Sequence, residues 1–324
     1  MGRSLWSVPG RRPVVVGYNG RPHAREALAW AAAEAGRRDV PLLVVYAANF
    51  PGMTLGPGPG LLDPSPGALD AVKEVTAQGV TEALTRQPGL RVAGVTEVTS
   101  PAHALLEAAA GAGLLVIGTR GFGRVLGALL GSVAFTVAAR APCPVIVVKT
   151  GPRSGGPVRD VVVGTDGSPD AAGAVRFAAD HAAGTASPLR IITATGEQAP
   201  AQVSADRLHG FAQQIADAAR RLVHRTHPRL SITTAVEQGP PERALVDASA
   251  AAELVVVGTR GRGAFQGMLL GSVSHAVIHG AHCPVAIVGA DQPAEDARVE
   301  PAVLDVVDIW GHGSFPASDP PANW

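Results

Sequence analysis

At 324 residues with 46% apolar side chains, the chain exceeds one ordinary domain and can bury two cores. Its 27 basic and 27 acidic residues cancel, which removes the electrostatic case for nucleic acid or an anionic membrane as the main partner. Two cysteines, Cys143 and Cys283, make no disulfide framework, and no apolar run reaches the length of a membrane span or a signal-peptide core, so a cytoplasmic location is expected.

Pro13–Gly17 reads as a first, valine-rich strand. A helix follows from His23, with Ala24, Ala27, Leu28, Ala31 and Ala35 on one side and Gly36 as its stop. Leu42–Tyr46 is the second strand, and Pro51–Gly60 is a loop by composition. Leu69–Arg86 reads as a helix, Arg91–Val98 as a strand and Pro101–Gly111 as a helix with proline near its start. Leu114–Ile117 is a short buried strand, Val133–Arg140 a helix and Val145–Lys149 a strand.

Residues 151–157 (GPRSGGP) are a linker, after which the order starts again. Val161–Gly164 is a strand, Asp170–Gly184 a helix, Leu189–Ala194 a strand and Ala205–His227 a helix. Leu230–Glu237, Pro241–Ala252, Leu254–Val257 and Val285–Val288 complete the copy as strand, helix, strand and strand, with a glycine stretch and helix before the last. The offset between copies is 147 early (164 − 17) and 140 late (258 − 118), so the first copy carries seven extra residues, placed most simply at Pro51–Gly60. The domains expected are 1–150 and 159–290, joined by a linker over 151–158 and followed by a tail over 291–324.

Strands alternating with helices imply parallel sheets covered on both faces, with ligands beyond the carboxyl ends of the strands. At that edge stand two copies of one pattern. Gly118-Thr-Arg-Gly121 is followed after nine residues by Gly131–Ser132, and Gly258-Thr-Arg-Gly261 after nine residues by Gly271–Ser272. A strand that opens into glycines and ends at a helix start can cradle a phosphate, because backbone N–H groups approach the anion with no Cβ between them. Ser132 could cap its helix or bond a phosphate oxygen. Used only as tight turns, the same glycines would need no ligand.

The pattern Gly-x2-Gly-x9-Gly-Ser resembles the ATP-binding signature of the universal stress protein family, and Val161–Ser168 is similar to that family's first strand and turn. The likeness covers about residues 13–148 and 159–288 as tandem copies. It implies two doubly wound, Rossmann-like α/β domains, each with a five-stranded parallel sheet in the order 3-2-1-4-5, and an adenine nucleotide, ATP, in each. The site residues it implies in the first copy are Gly17, Asn19, Gly118, Thr119, Arg120, Gly121, Gly123, Gly131, Ser132 and Val133. In the second they are Gly164, Asp166, Ala194, Gly258, Thr259, Arg260, Gly261, Gly263, Gly271, Ser272 and Val273. Asp166 is also the candidate ligand of a companion magnesium ion; Asn19 stands at its counterpart without the charge. Arg120 and Arg260 suit phosphate oxygens. Arg124 and Arg262 lie near but do not correspond.

Catalysis is poorly supported by the sequence, and at most weak ATP hydrolysis in the cradle is expected. No Gly-x4-Gly-Lys P-loop, nucleophile elbow or general base is present, and no catalytic residue is assigned. His23, His103, His209, His224 and His275 fall on helices without ligand spacing and are expected at the surface or at caps. The function expected from the resemblance is a nucleotide-dependent stress sensor or regulator. The rivals are an ATPase or nucleotidyl transferase on the same scaffold, and an interaction module that binds no nucleotide. The tail over 291–324, acidic and then Pro-rich, is expected to be disordered or to dock a protein partner through Phe315 and Trp324.

In the order the resemblance implies, the fifth strand of each copy is an open apolar edge, and such edges seek partners. The copies are expected to pair through them as an intramolecular pseudo-dimer. On the same reasoning an isolated first copy, 1–150, would self-associate, and a homodimer of tandem chains is a further assembly.

Overall fold

The computed structural model describes residues 11–48, 66–119, 131–149, 159–196, 204–262 and 269–290. The insertion loop at 51–60, the linker and the tail lie outside them.

The first half runs β1 (Val14–Gly17), α1 (Pro22–Arg38), β2 (Leu42–Ala47), α2 (Pro66–Arg86), β3 (Val92–Glu97), α3 (Pro101–Ala109), β4 (Leu114–Gly118), α4 (Ser132–Arg140) and β5 (Val145–Val148). The second repeats it as β6 (Asp160–Gly164), α5 (Pro169–Thr185), β7 (Leu189–Ala194), α6 (Ala205–Thr226), β8 (Ile232–Glu237), α7 (Pro241–Ser249), β9 (Ala252–Gly258), α8 (Ser272–Gly280) and β10 (Val285–Val288).

Each half forms a parallel sheet in the order 3-2-1-4-5, and the ten strands lie in one sheet, β3-β2-β1-β4-β5-β10-β9-β6-β7-β8. The join is antiparallel: Val145, Ile146 and Val147 of β5 face Ile287, Ala286 and Val285 of β10. Both strands are buried throughout, so pairing them removes an apolar edge from water.

The strands read as unbroken apolar runs because both faces of the sheet are covered. One core gathers Val14, Val16, Leu114, Val116 and Ile146 with α1 and α5. The other gathers Val15, Leu115, Val145 and Val147 with residues of α3, α4, α7 and α8. Cys143 and Cys283 are buried just before β5 and β10, and burial pushes the Cys143 thiol up to about 12.

Several expected boundaries move. Gly36 does not stop α1; the helix runs on to Arg38, and Asp39, at φ 52, donates its N–H back to Ala35 and Gly36. Asp39 is among the residue types that tolerate the left-handed region, so no glycine is needed there. Ser132 is not a cap. It is the first helical residue of α4, Gly131 occupies the N-cap position, and no side chain caps the helix. The helix expected up to Ala252 ends at Ser249, and Ala252 already belongs to β9. Among the described residues no helix is long and apolar enough to cross a membrane.

Candidate functional site

β1 and β4 are neighbours, and so are β6 and β9, because the chain winds outward in opposite directions from each pair. Their carboxyl ends bound a crevice in each half. Gly17 and Gly118 end β1 and β4, while Gly164 and Gly258 end β6 and β9.

These four glycines have packing reasons. A Cβ at Gly118 would sit 2.6 Å from the carbonyl oxygen of His23, and one at Gly258 3.0 Å from the Asp170 backbone. A Cβ at Gly17 would lie 3.2 Å from Leu105, and one at Gly164 2.8 Å from Leu245. The sequence places all four at the nucleotide; the structure uses their missing side chains to seat α1 and α3, or α5 and α7, against the sheet.

The glycine stretch is built alike in both halves. Thr119 and Thr259 donate their N–H to Val148 and Val288, and then accept at their carbonyls from Gly131 (2.9 Å) and Gly271 (2.8 Å). The loop thus closes on its own neck before α4 or α8 begins. Gly131 and Gly271 sit at φ −72 and −68, which any residue adopts, and neither helix receives a side-chain cap. By contrast α3, α5 and α6 are capped by Ser100, Ser168 and Ser204. At Gly271 a Cβ would meet ordinary contacts, the nearest 3.4 Å away at the Thr259 carbonyl oxygen. Neither backbone strain nor packing against the described residues therefore demands glycine at position 271. Ser272 is exposed, and the Val133 and Val273 side chains pack against the core.

In the second half two carboxylates pin the stretch. Asp166 accepts from the Ser168 N–H (2.9 Å) and the Arg262 N–H (2.8 Å). Asp170, buried on α5, accepts from the Thr259 hydroxyl (2.9 Å) and the Arg260 N–H (3.0 Å), with the Arg260 Nε at 3.5 Å. A Cβ at Gly261 would fall 2.7 Å from Asp166 Oδ2, so this glycine makes room for the carboxylate. The Arg262 guanidinium lies over the Phe211 ring at 5.3 Å, and the Ser274 hydroxyl donates to the Gly258 carbonyl at 2.6 Å. Ala194 ends β7 beside Glu237 of β8.

The first half holds the same places with different chemistry. Asn19 accepts from the Arg21 N–H (3.2 Å), and His23 Nδ1 lies 3.4 Å from the Thr119 hydroxyl. His23 stands where Asp170 stands in the second half, at the 147-residue offset (170 − 23). Asp170 and His23 escaped the sequence reading as cradle residues because neither is in the glycine pattern; their shared place after each first strand was the available signal. Arg120, Gly121, Gly123, Arg124 and Gly263 lie outside the described residues.

Among the described residues no group of three His, Cys, Asp or Glu side chains is placed to hold a metal ion. Of the histidines expected at surfaces, His103 is exposed beside Glu107 at 3.5 Å. His275 is exposed as well, with its ring beside those of His279 and Phe135 at 4.5 and 5.6 Å between centroids.

The profile of the universal stress protein family matches residues 10–149 and 157–289. One universal stress protein of Mycobacterium tuberculosis is 32% identical over 297 residues, covering 85% of this chain and 96% of the relative. A second from that organism is 33% identical over 303 residues, covering 85% and 95%. Among solved structures, a universal stress protein from Archaeoglobus fulgidus superimposes with a TM-score of 0.65 at 20% identity, covering 86% of this chain and 96% of that one.

Proposed function

Because the chain belongs to the universal stress protein family, we propose that each half binds one adenine nucleotide, ATP, in its carboxyl-edge crevice, and that occupancy makes the protein a regulator of a stress response. The observation that carries this reading is Gly271 at an uncapped helix start, a glycine that neither φ nor packing against the described residues requires. What it leaves open is an approach for phosphate oxygens to the first N–H groups of α8. Gly131 has the same backbone and the same uncapped helix. When bound, the nucleotide supplies a phosphate chain that takes these N–H groups as partners. The chain's own residues hold the cradle: Thr119 and Thr259 close its neck, and Asp166 and Asp170 fix the second stretch. Arg260, half exposed beside Asp170, reaches toward solvent where a phosphate would lie.

Gly271→Ala separates ligand from fold. Its Cβ fits the protein, so the melting midpoint should hold, while ATP affinity at that site should fall about tenfold, equivalent to one lost charge-assisted hydrogen bond. Calorimetric titration of Gly131→Ala, Gly271→Ala and the double variant reads each site in turn. Unchanged ATP binding in the double variant would remove the proposal.

The two sites should differ toward metal. Asp166 carries a charge that Asn19 lacks, and a cation there would be held by this carboxylate and by phosphate oxygens. Magnesium should therefore strengthen ATP binding more at the second site, and Asp166→Asn should erase the difference. Equal magnesium dependence of the two sites in the single-site variants would refute this.

A further inference from the structure

The face along which the halves meet is built from residues at equivalent positions, and those residues differ in complementary ways. α1 and α5 are each 17 residues long and start with proline at corresponding places. Glu34 and His181 are both the thirteenth residue of their helix, and they meet: His181 Nδ1 lies 3.4 Å from Glu34 Oε1. That approach is a close ion-pair contact; Nδ1 has no aligned hydrogen bond. Both side chains are buried, at 3% and 4% exposure. Arg37 and Gly184 are both the sixteenth residue, and they meet too: a Cβ on Gly184 would overlap Arg37 Nη1. Trp30 and Phe177 are both the ninth, and both rings stack on His181, at 5.9 and 6.4 Å. Beneath them, Ile146 of β5 lies directly opposite Ala286 of β10, its own equivalent at the 140-residue offset (286 − 146). Both are fully buried in the core that α1 and α5 cover.

An exact two-fold interface would set the residues nearest its axis against copies of themselves, and the pairs that meet here are at equivalent positions. Two first-half faces would bring Glu34 against Glu34, Arg37 against Arg37 and Ile146 against Ile146. That combines buried like charges with an overfilled centre. Two second-half faces would set His181 against His181 and Ala286 against Ala286, with no carboxylate like Glu34 between the rings and a void at the centre.

We propose that this surface has been divided into a matched pair, with a carboxylate at Glu34 and large side chains at Arg37 and Ile146 on one half, an imidazole at His181 and small residues at Gly184 and Ala286 on the other, so that its partner is the second half of its own chain and a second copy of the same half is rejected. Specificity of this kind needs both the new attraction and the built-in clash. The expectation that residues 1–150 alone would self-associate considered only the open strand; the helix face above that strand argues against it.

The full-length chain tests the proposal. Ala286→Ile sets isoleucine against isoleucine, and Ile146→Ala sets alanine against alanine. Each should lower the melting midpoint by about 4 °C or more. The exchange Ile146→Ala with Ala286→Ile restores one large and one small residue and should recover at least half of the summed loss. A cycle of Glu34→Gln and His181→Gln should show coupling, the double variant losing less than the sum of the singles. Finally, His181→Glu, Gly184→Arg and Ala286→Ile together convert the second face into the first. That chain should melt in two separated transitions and sediment as a more extended particle. If it is too unstable to purify, the exchange and the cycle decide. An exchange no better than the sum of its singles, or an additive Glu34–His181 cycle, overturns the proposal.

Discussion

Gly118→Ala is expected to destabilise the protein by about 3 kcal/mol, the upper range for overfilling a packed site. The Cβ would meet the carbonyl oxygen and carbon of His23 at 2.6 and 2.9 Å, and these are backbone atoms at the first turn of α1. They cannot step aside as a side-chain tip would; the helix start must shift, and with it the packing of Ala24, Ala27 and Leu28 on β1 and β4. Gly258→Ala should cost less, since its nearest contacts are at 3.0 Å. Gly111→Ala, with nothing within 4 Å, is the neutral control. Thermal or urea unfolding should rank the three in that order, with Gly118→Ala lowering the midpoint by about 6 °C or more. A Gly118→Ala protein as stable as Gly111→Ala would show that this glycine serves only the crevice.

Glu34→Ala is the second large effect. The carboxylate accepts from Arg37 Nε (2.8 Å), Arg37 Nη2 (2.6 Å) and Arg38 Nε (2.6 Å), and it faces His181. Removing it leaves two guanidinium groups and a buried imidazole facing one another. The loss should be about 3 kcal/mol, the lower end for breaking a buried pair, since both arginines keep some contact with water. The sign of the pH dependence follows from the surroundings. Burial opposes charge on Glu34, but His181, Arg37 and Arg38 outweigh it and hold the carboxyl well below its usual range. Its contribution is therefore present above about pH 4.3, the unfolded value, and is lost as pH falls through the lowered one. Burial also opposes charge on His181, but Glu253 and Glu34 more than offset it, and Arg37 only partly counters them, so its pKa is raised. That contribution is complete below about pH 6.5 and is lost as pH rises through the raised value.

Asp180, the neighbour of His181 on α5, is pushed up by burial and held in check by His227, Arg38, Arg176 and Arg37. The Ser187 hydroxyl donates to Glu253 at 2.6 Å, completing the far side of the imidazole. Wild-type stability should thus peak between about pH 4.5 and 6.5 and decline above it. Glu34→Ala should weaken that alkaline decline, because only Glu253 then raises the imidazole. Parallel alkaline limbs in the wild type and Glu34→Ala would discount the pair.

The order of strands and helices was legible in the sequence because each signal is local. A run such as Val14–Val16 or Leu114–Ile117 is apolar on both faces, which only a covered parallel strand needs. The duplication was legible because the spacing from Gly118 to Gly131 recurs unchanged from Gly258 to Gly271. The same glycines carry packing roles that their pattern does not show. Sequence alone cannot separate a glycine that admits a ligand from one that admits a helix, since both lack the same atom. Only the fold shows that Gly118 meets the His23 backbone, that Gly261 meets Asp166, and that Gly271 meets nothing among the described residues that excludes a side chain. Asp170 and His181 were invisible for a related reason. Each is a single polar residue on an alanine-rich helix, and its meaning lies in what packs opposite: Thr259 in one case, Glu34 from the other half in the other. Periodicity determined which face of each helix is buried, since that depends on residues three and four apart. Which residue meets which between the halves was decided only by tertiary structure, because Ile146 and Ala286 are 140 residues apart (286 − 146) and Glu34 and His181 147 apart (181 − 34), and no local pattern encodes either contact.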